Sequence, residues 1–240
     1  DFSIELAEAA TGQRALQLAS AWQELQDAQV LRDEAFAHDL VADAVRRGVP
    51  PVVARRVHAQ CAHWLAAQGV DPARVAVHWM RGGDPSQAGQ AFMAAGRRAR
   101  QAARTQESAA LFAMAAQAFD SAGMPEQRFA ARCERGISLV YADFGDQAKR
   151  ELQDLLAGAG SDAQRLRVGR VLVDLLSERS ESLEAVQAGE AALAQARRLG
   201  DHDALLRLAC HVATALCRLG RAGDAMTLLL PLQHWVDTQG

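Results

Sequence analysis

The sequence predicts an all-α chain of antiparallel helix hairpins, and three observations carry that reading. Ala, Leu, Gln and Arg recur throughout, aromatic residues make up only 5% of the chain, and β-branched runs are almost absent. That is the composition of helices packed closely through small side chains. Glycine-containing stops fall at Gly69, Gly82-Gly83, Gly123, Gly145, Gly158-Gly160, Gly200, Gly220 and Gly240, leaving segments of about 12 to 20 residues, an ordinary helix length. Short stops between amphipathic helices make sequence neighbours antiparallel. The third observation is a long-period recurrence of small residues.

In chain order, "DFSIELAEAATG" predicts a short helix and "QRALQLASAWQELQDAQ" a longer one. Two short extended pieces, "VLR" and "EAFAH", flank Asp33-Glu34, and Phe36 is expected to pack. "DLVADAVRRGV" then predicts a helix capped by Asp39, whose carboxylate would accept from backbone amides near Ala42. Pro50-Pro51 stop that segment and start the next helix. Residues 1–48 thus form one small module, 49–83 supply linking helices, and from residue 84 to 240 the helical pattern is periodic.

The period is carried by four pairs of small or apolar residues twelve positions apart: Gly96 with Ser108, Gly136 with Ala148, Val173 with Ala185, and Ala213 with Ala225. Their second members follow one another at 40, 37 and 40 residues, which marks a repeat. Each is followed four and seven residues later by Phe112 and Ala115, Leu152 and Leu155, Gly189 and Ala192, or Leu229 and Leu232, one face of one helix. Where two helices of a hairpin cross closely, only Gly, Ala or Ser lets the backbones approach. The layout resembles the tetratricopeptide repeats over about two thirds of the chain, most clearly in "AALAQARRLGD" at 191–201 and "ALCRLGRAGDAMTLLLPL" at 215–232. The resemblance implies a right-handed superhelix for residues 84–240. The period exceeds that family's usual 34 residues, and most repeats lack its aromatic and proline landmarks.

Helix, helix, small hairpin and helix is also the order of a truncated winged-helix module. "AFAHDLVADAV", a proline break and "ARRVHAQCAHWL" look like the end of the ATPase core in the large bacterial STAND regulators, signal-transduction ATPases with numerous domains. "VAVHWMRGGDPSQAGQAFMAAGRRAR" looks like their first post-core repeats. The His-Asp step is similar to the MHD motif of plant resistance proteins, in which a winged-helix histidine reaches the phosphates of bound ADP. Position by position, the resemblance gives His38 and Asp39 a nucleotide-sensing role in the full-length parent, with Ala37 standing where the plant motif has methionine. It implies ATP or ADP as the parent's cofactor and none for this chain alone. It also implies a sensor that binds a protein, a peptide or a small-molecule inducer on its repeats and contacts other domains of the parent. Such a sensor biases a nucleotide switch whose output is transcription activation or a cyclase.

Bulk properties exclude several classes. With 240 residues, half of them apolar, the chain can bury a sizeable core as one large or two small domains. A net charge of −3 supplies no general basic field, which argues against nucleic acid as a partner. No run approaches the roughly 18 apolar residues of a membrane span, and no charged-then-apolar leader is present. Cys61, Cys133, Cys210 and Cys217 form no CxxC pair and sit in apolar helical contexts, which predicts reduced, mostly buried thiols in a cytoplasmic protein. The chain opens at Asp1 without methionine and closes in "VDTQG", a polar helical pattern, so it reads as a piece of something longer. Lys149 is the only lysine among 26 basic residues, so no GxxxxGK[ST] phosphate loop exists here. Its setting, "GDQAKREL", predicts a solvated helix face and not the desolvated amine of Schiff-base chemistry. GxSxG, HExxH, GxGxxG and DxDxDG are also absent, and no enzyme is expected.

Other residues admit two readings. His58 and His63 project about 140° apart on a helix and would not share a metal; with His78 beside Trp79 they read as packed histidines. Arg97, Arg98, Arg100 and Arg104 in "RRARQAAR" make a positive stripe along one predicted helix. The stripe suits an acidic partner, phosphate or RNA, or else simply solvent and ion pairs. Trp22, Trp64, Trp79 and Trp235 read as core anchors. A catalytic His38-Asp39 dyad fails because adjacent residues at a strand-to-helix junction rarely face each other. Two alternatives stand beside the sensor: a constitutive interaction scaffold with no nucleotide switch, and a DNA-binding winged helix. The second is weakened because "RALQLASAWQELQDAQ" carries one arginine against two acids.

Overall fold

A computed structural model describes residues 3–32 and 35–239, with side chains up to Gln233. Asp33-Glu34, Gly240 and the side chain of Trp235 lie outside the described residues. Among those described, the chain forms thirteen α-helices and one two-stranded antiparallel sheet, as the all-α expectation requires. Two compact units divide it: Asp1–Ala102 with Leu111–Arg128, and Ala103–Ala110 with Phe129–Gly240.

The first unit begins with α1 (Ile4–Thr11), where the Ser3 hydroxyl accepts from the Leu6 amide, and α2 (Ala15–Asp27). Strand β1 (Leu31–Arg32) pairs with β2 (Ala35–Phe36), Leu31 opposite Phe36, before α3 (Asp39–Gly48). This order matches the sequence reading, but two details are corrections. Phe36 does not pack; it is 39% exposed, because no third strand covers a two-residue hairpin. Asp39 is not the cap either. His38 adopts the extended backbone of an N-cap, φ −155° and ψ 145°, and its Nδ1 accepts from the Leu40 amide at 3.3 Å. Asp39 is the first helical residue, where its charge favours the positive end of the helix dipole.

Helices α4 (Pro51–Ala67), α5 (Pro72–Gly82) and α6 (Pro85–Gln101) each start on proline, where its missing N–H leaves no helix bond unmade. Helices α4 and α5 pack so closely that a Cβ on Gly82 would lie 2.9 Å from the Ala59 backbone nitrogen. On α6, a Cβ at Gly89 or Gly96 would come within 2.6 or 2.8 Å of the Phe119 and Phe112 rings. Both rings lie on the part of α7 (Thr105–Ser121) that belongs to this unit.

The second unit holds the start of α7, most of α8 (Pro125–Tyr141), and α9 (Gly145–Ala157), α10 (Asp162–Glu178), α11 (Ser182–Leu199), α12 (His202–Arg218) and α13 (Ala222–Gln239). A single core runs from Ala109 and Cys133 through Leu152, Val173 and Val212 to Ala225. Its deepest polar feature is a hydrogen bond of 2.9 Å between the Ser108 and Ser138 hydroxyls, both with no exposed surface.

One turn recurs in both units. The residue closing each helix is left-handed at Gly83, Ala103, Gly123 and Asp143, and again at Ser180, Gly200 and Gly220, with φ from 56° to 87° and steps of 20 residues within each series. At Gly123 the amide donates to the Asp120 carbonyl and the next amide, of Met124, donates to that of Phe119. Gly200 and Asp201 bond Arg197 and Ala196 in the same way, and Ser180 and Glu181 bond Ser177 and Leu176. These bonds satisfy the last carbonyls of the helix. A 17-residue helix and its turn therefore make a half-repeat, and two of them make the 40-residue period. The single 37-residue step has a local cause. Helix α9 has 13 residues, and the passage from α9 to α10 at 158–161 contains no left-handed residue. Gly145 is accordingly a correction: it begins α9, and Asp143 makes the turn. Ala103 and Ser180 turn the chain with no glycine at all, so counting glycines missed them.

Candidate functional site

The structure scatters the sequence-predicted site residues and brings others together. His38 is exposed, and its Nδ1 accepts from the Leu40 amide. Among the described residues no hydrogen bond links His38 to Asp39. The arginine stripe does not lie along one helix. Helix α6 ends at Gln101, the chain turns at Ala103, and Arg104 pairs with Glu107 at 2.8 Å. Arg100 turns inward, its guanidinium carbon 5.4 Å from the Phe112 ring centre, while Arg97 and Arg98 stay exposed.

Lys149 is another correction. Its ammonium bridges Glu181 at 2.5 Å and Glu184 at 2.7 Å, and Arg179 ties Glu181 to Asp146. These partners lie more than thirty residues away in sequence, so the local charge pattern gave no sign of them. Of the four thiols only Cys61 and Cys133 are buried, and Cys210 and Cys217 are exposed on α12. Burial pushes the Cys133 thiol up to about 11.

The packed-histidine expectation holds for His58 and His78, which are half-buried, whereas His63 is exposed. His58 on α4 and His78 on α5 meet through Nδ1 atoms 3.2 Å apart, and His63 stands edge-on to Trp79 with ring centres 4.5 Å apart. Burial, with Arg81 behind it, lowers His58; burial, then His58, Arg74 and Arg81, lowers His78 to about 4. Trp79 is buried, whereas Trp22 and Trp64 are half-buried.

All eight repeat-packing residues, Gly96, Ser108, Gly136, Ala148, Val173, Ala185, Ala213 and Ala225, are buried. The glycines among them receive a side chain rather than a backbone. The residue sixteen positions on fills the space: Phe112 over Gly96 and Leu152 over Gly136.

A groove sequence reasoning did not anticipate lies in the second unit between α11, α12 and α13, with a volume of about 410 Å³. Leu193, Val212 and Leu216 form its floor, and Glu190, Arg197 and the Arg221–Asp224 pair at 2.6 Å border it. Its residues come from three helices, and only packing assembles them. On the same unit polar ties link alternate helices: Glu134 with Arg167 at 2.8 Å, and Asp174 with His211 at 3.2 Å. Among the described residues, no three His, Cys, Asp or Glu side chains converge as metal ligands, and no helix is long and apolar enough to cross a membrane.

Comparison with protein-family models and with curated proteins gave no match.

Proposed function

We propose that this chain is the winged-helix end and the helical sensor of a STAND-type regulator. A protein, peptide or small inducer bound to its tetratricopeptide-like helices biases a nucleotide switch held by other domains of the same cytoplasmic protein. The observation that supports this best is uneven burial. In the N-terminal module and at the start of α4, Leu16 is 91%, Leu40 69% and Val52 75% exposed, while Leu172, Leu208 and Val212 of α10 and α12 are at most 3% exposed. Large apolar side chains left exposed are the kind a docking face uses, and a winged helix at the end of an ATPase core docks on that core. His38 suits the sensing role, since the Leu40 amide occupies Nδ1 and leaves Nε2 for a phosphate oxygen. The α11–α13 groove has the size and the apolar floor of a ligand site. A ligand acts on a switch only by binding one state more tightly than the other.

In the full-length protein, ligand affinity measured with ADP bound and with ATP bound is expected to differ. Equal affinities, with nucleotide binding intact, would leave a constitutive scaffold in place of a switch. His38→Ala in the same protein is expected to speed ADP release and raise basal output, and unchanged ADP retention removes His38 from the mechanism.

A further inference from the structure

We infer that a cleft in the first unit is a binding site for a small carboxylate carrying one compact apolar group. The cleft has a volume of about 280 Å³ and forms where the α4–α5 turn, α5 and α6 meet. Val70, Val75 and the buried Trp79 ring make one wall. Opposite them, α6 presents Gln87, Gln90, Ala91 and Arg98, whose spacings of three, four and seven place them on one helix face. The frame is set before any ligand arrives. Asp71 caps α5 by accepting from the Ala73 amide, Asp84 caps α6 by accepting from the Gln87 amide at 2.9 Å, and Gly69 turns the chain at φ 66°.

The polar groups decide the ligand class. Among the described residues the Gln87 and Gln90 side-chain amides and the Arg98 guanidinium make no hydrogen bond or ion pair, whereas nearby Arg100 lies over Phe112. No acidic side chain lines the cleft, so nothing within it neutralises Arg98 or repels an anion. The α11–α13 groove differs on this point, since Glu190 and Asp224 border it. A guanidinium holds a carboxylate through two parallel N–H bonds, and the two glutamine amides add donors beside it. The indole and valine wall takes an apolar body and gives nothing to a bare phosphate. A cleft of about 280 Å³ has room for a ligand as small as phenylacetate. The site rests on the fold of the first unit and not on a nucleotide switch.

The test is a titration of the 240-residue chain with phenylacetate, followed by amide shifts in nitrogen-resolved NMR. Saturable shifts are expected at Val70, Val75, Gln87 and Gln90, with a dissociation constant on the order of 1 mM, appropriate to so small a ligand. 2-Phenylethanol, which has the same ring and no charge, is expected to bind at least tenfold more weakly. Arg98→Gln, at an exposed position outside any ion pair, should cost phenylacetate tenfold or more and leave 2-phenylethanol unchanged. Arg97→Gln should change neither. No saturable shifts at these amides, undiminished binding by Arg98→Gln, or inorganic phosphate binding as tightly as phenylacetate would each overturn the assignment. Ala91→Trp fills the cleft and should abolish both aromatic ligands. If that variant does not fold, Arg98→Gln decides alone.

Discussion

Helix α10 of the second unit and helices α2 and α3 of the first treat apolar side chains in opposite ways. Helix α10 packs against α9, α11 and α12, so both its apolar faces are covered and Leu166, Leu172 and Leu176 are at most 5% exposed. Among the described residues α2 packs mainly on α1 and β1, and α3 on β2; Leu16, Leu25, Leu40 and Val45 stay exposed. Composition does not separate these regions, since both contain amphipathic helices. The number of neighbours does. A helix inside an array is stabilised from two sides, whereas α2 and α3 leave part of their apolar surface exposed.

The largest expected effect lies at Phe112, which has no exposed surface and fills the space over Gly96. Phe112→Ala should lower unfolding free energy by about 3–5 kcal/mol in urea titrations. A loss below 1 kcal/mol would mean that the array does not depend on this ring.

The buried hydroxyl pair comes next. Ser108→Ala removes the partner of the Ser138 hydroxyl, and the buried oxygen left behind costs about 1–3 kcal/mol. Adding Ser138→Ala should recover part of that loss. A double variant weaker by the full sum of the singles would show that the hydroxyls act separately.

The turns should respond by smaller amounts and in opposite directions. Ala103, at φ 56°, occupies a left-handed position that Gly123, at φ 66°, fills without strain. Ala103→Gly should raise stability by about 1 kcal/mol and Gly123→Ala lower it by a similar amount. The same sign for both, measured by urea unfolding, would remove the turn conformation as their cause.

The α4–α5 hairpin carries a pH dependence. His58 and His78 are held below the ordinary histidine value, His78 at about 4, chiefly by burial. The unfolded chain binds protons near pH 6.5 that the folded hairpin resists. The stabilisation is therefore complete above pH 6.5, is lost as pH falls toward 4, and levels off below that. His78→Gln should flatten this part of the stability profile relative to the wild type, and identical slopes would dismiss the pair.

The smallest effect falls in the N-terminal module. Leu16→Gln changes a side chain that is 91% exposed, and the expected shift is under about 0.5 kcal/mol. A loss comparable with that of Phe112→Ala would mean that Leu16 is covered in solution.

Much of the fold was legible. Helix-period patterns placed α1 to α3 and the hairpin, the small-residue spacing gave 40, 37 and 40, and the glycines at 83, 123, 200 and 220 marked true turns. The failures share a cause. Ala103, Asp143 and Ser180 each turn left-handed in a three-residue passage between two helices, and no local window of sequence shows which neighbours those helices pack against. Lys149 looked solvated because Glu181 and Glu184 are a helix and a turn away. The arginine stripe looked continuous because one-letter spacing does not show where α6 stops.

By itself the sequence determined which segments are helices, where small residues must sit, and that the repeat is shortened once, because periodicity, side-chain size and chain length are properties of the chain. Only the tertiary structure decided that His38 rather than Asp39 caps α3, that Arg98 and not its neighbours borders a cleft, and which apolar faces are covered. Those outcomes depend on what packs opposite each residue, and contacts between helices forty residues apart are set by the close fit of whole faces, not by any local pattern.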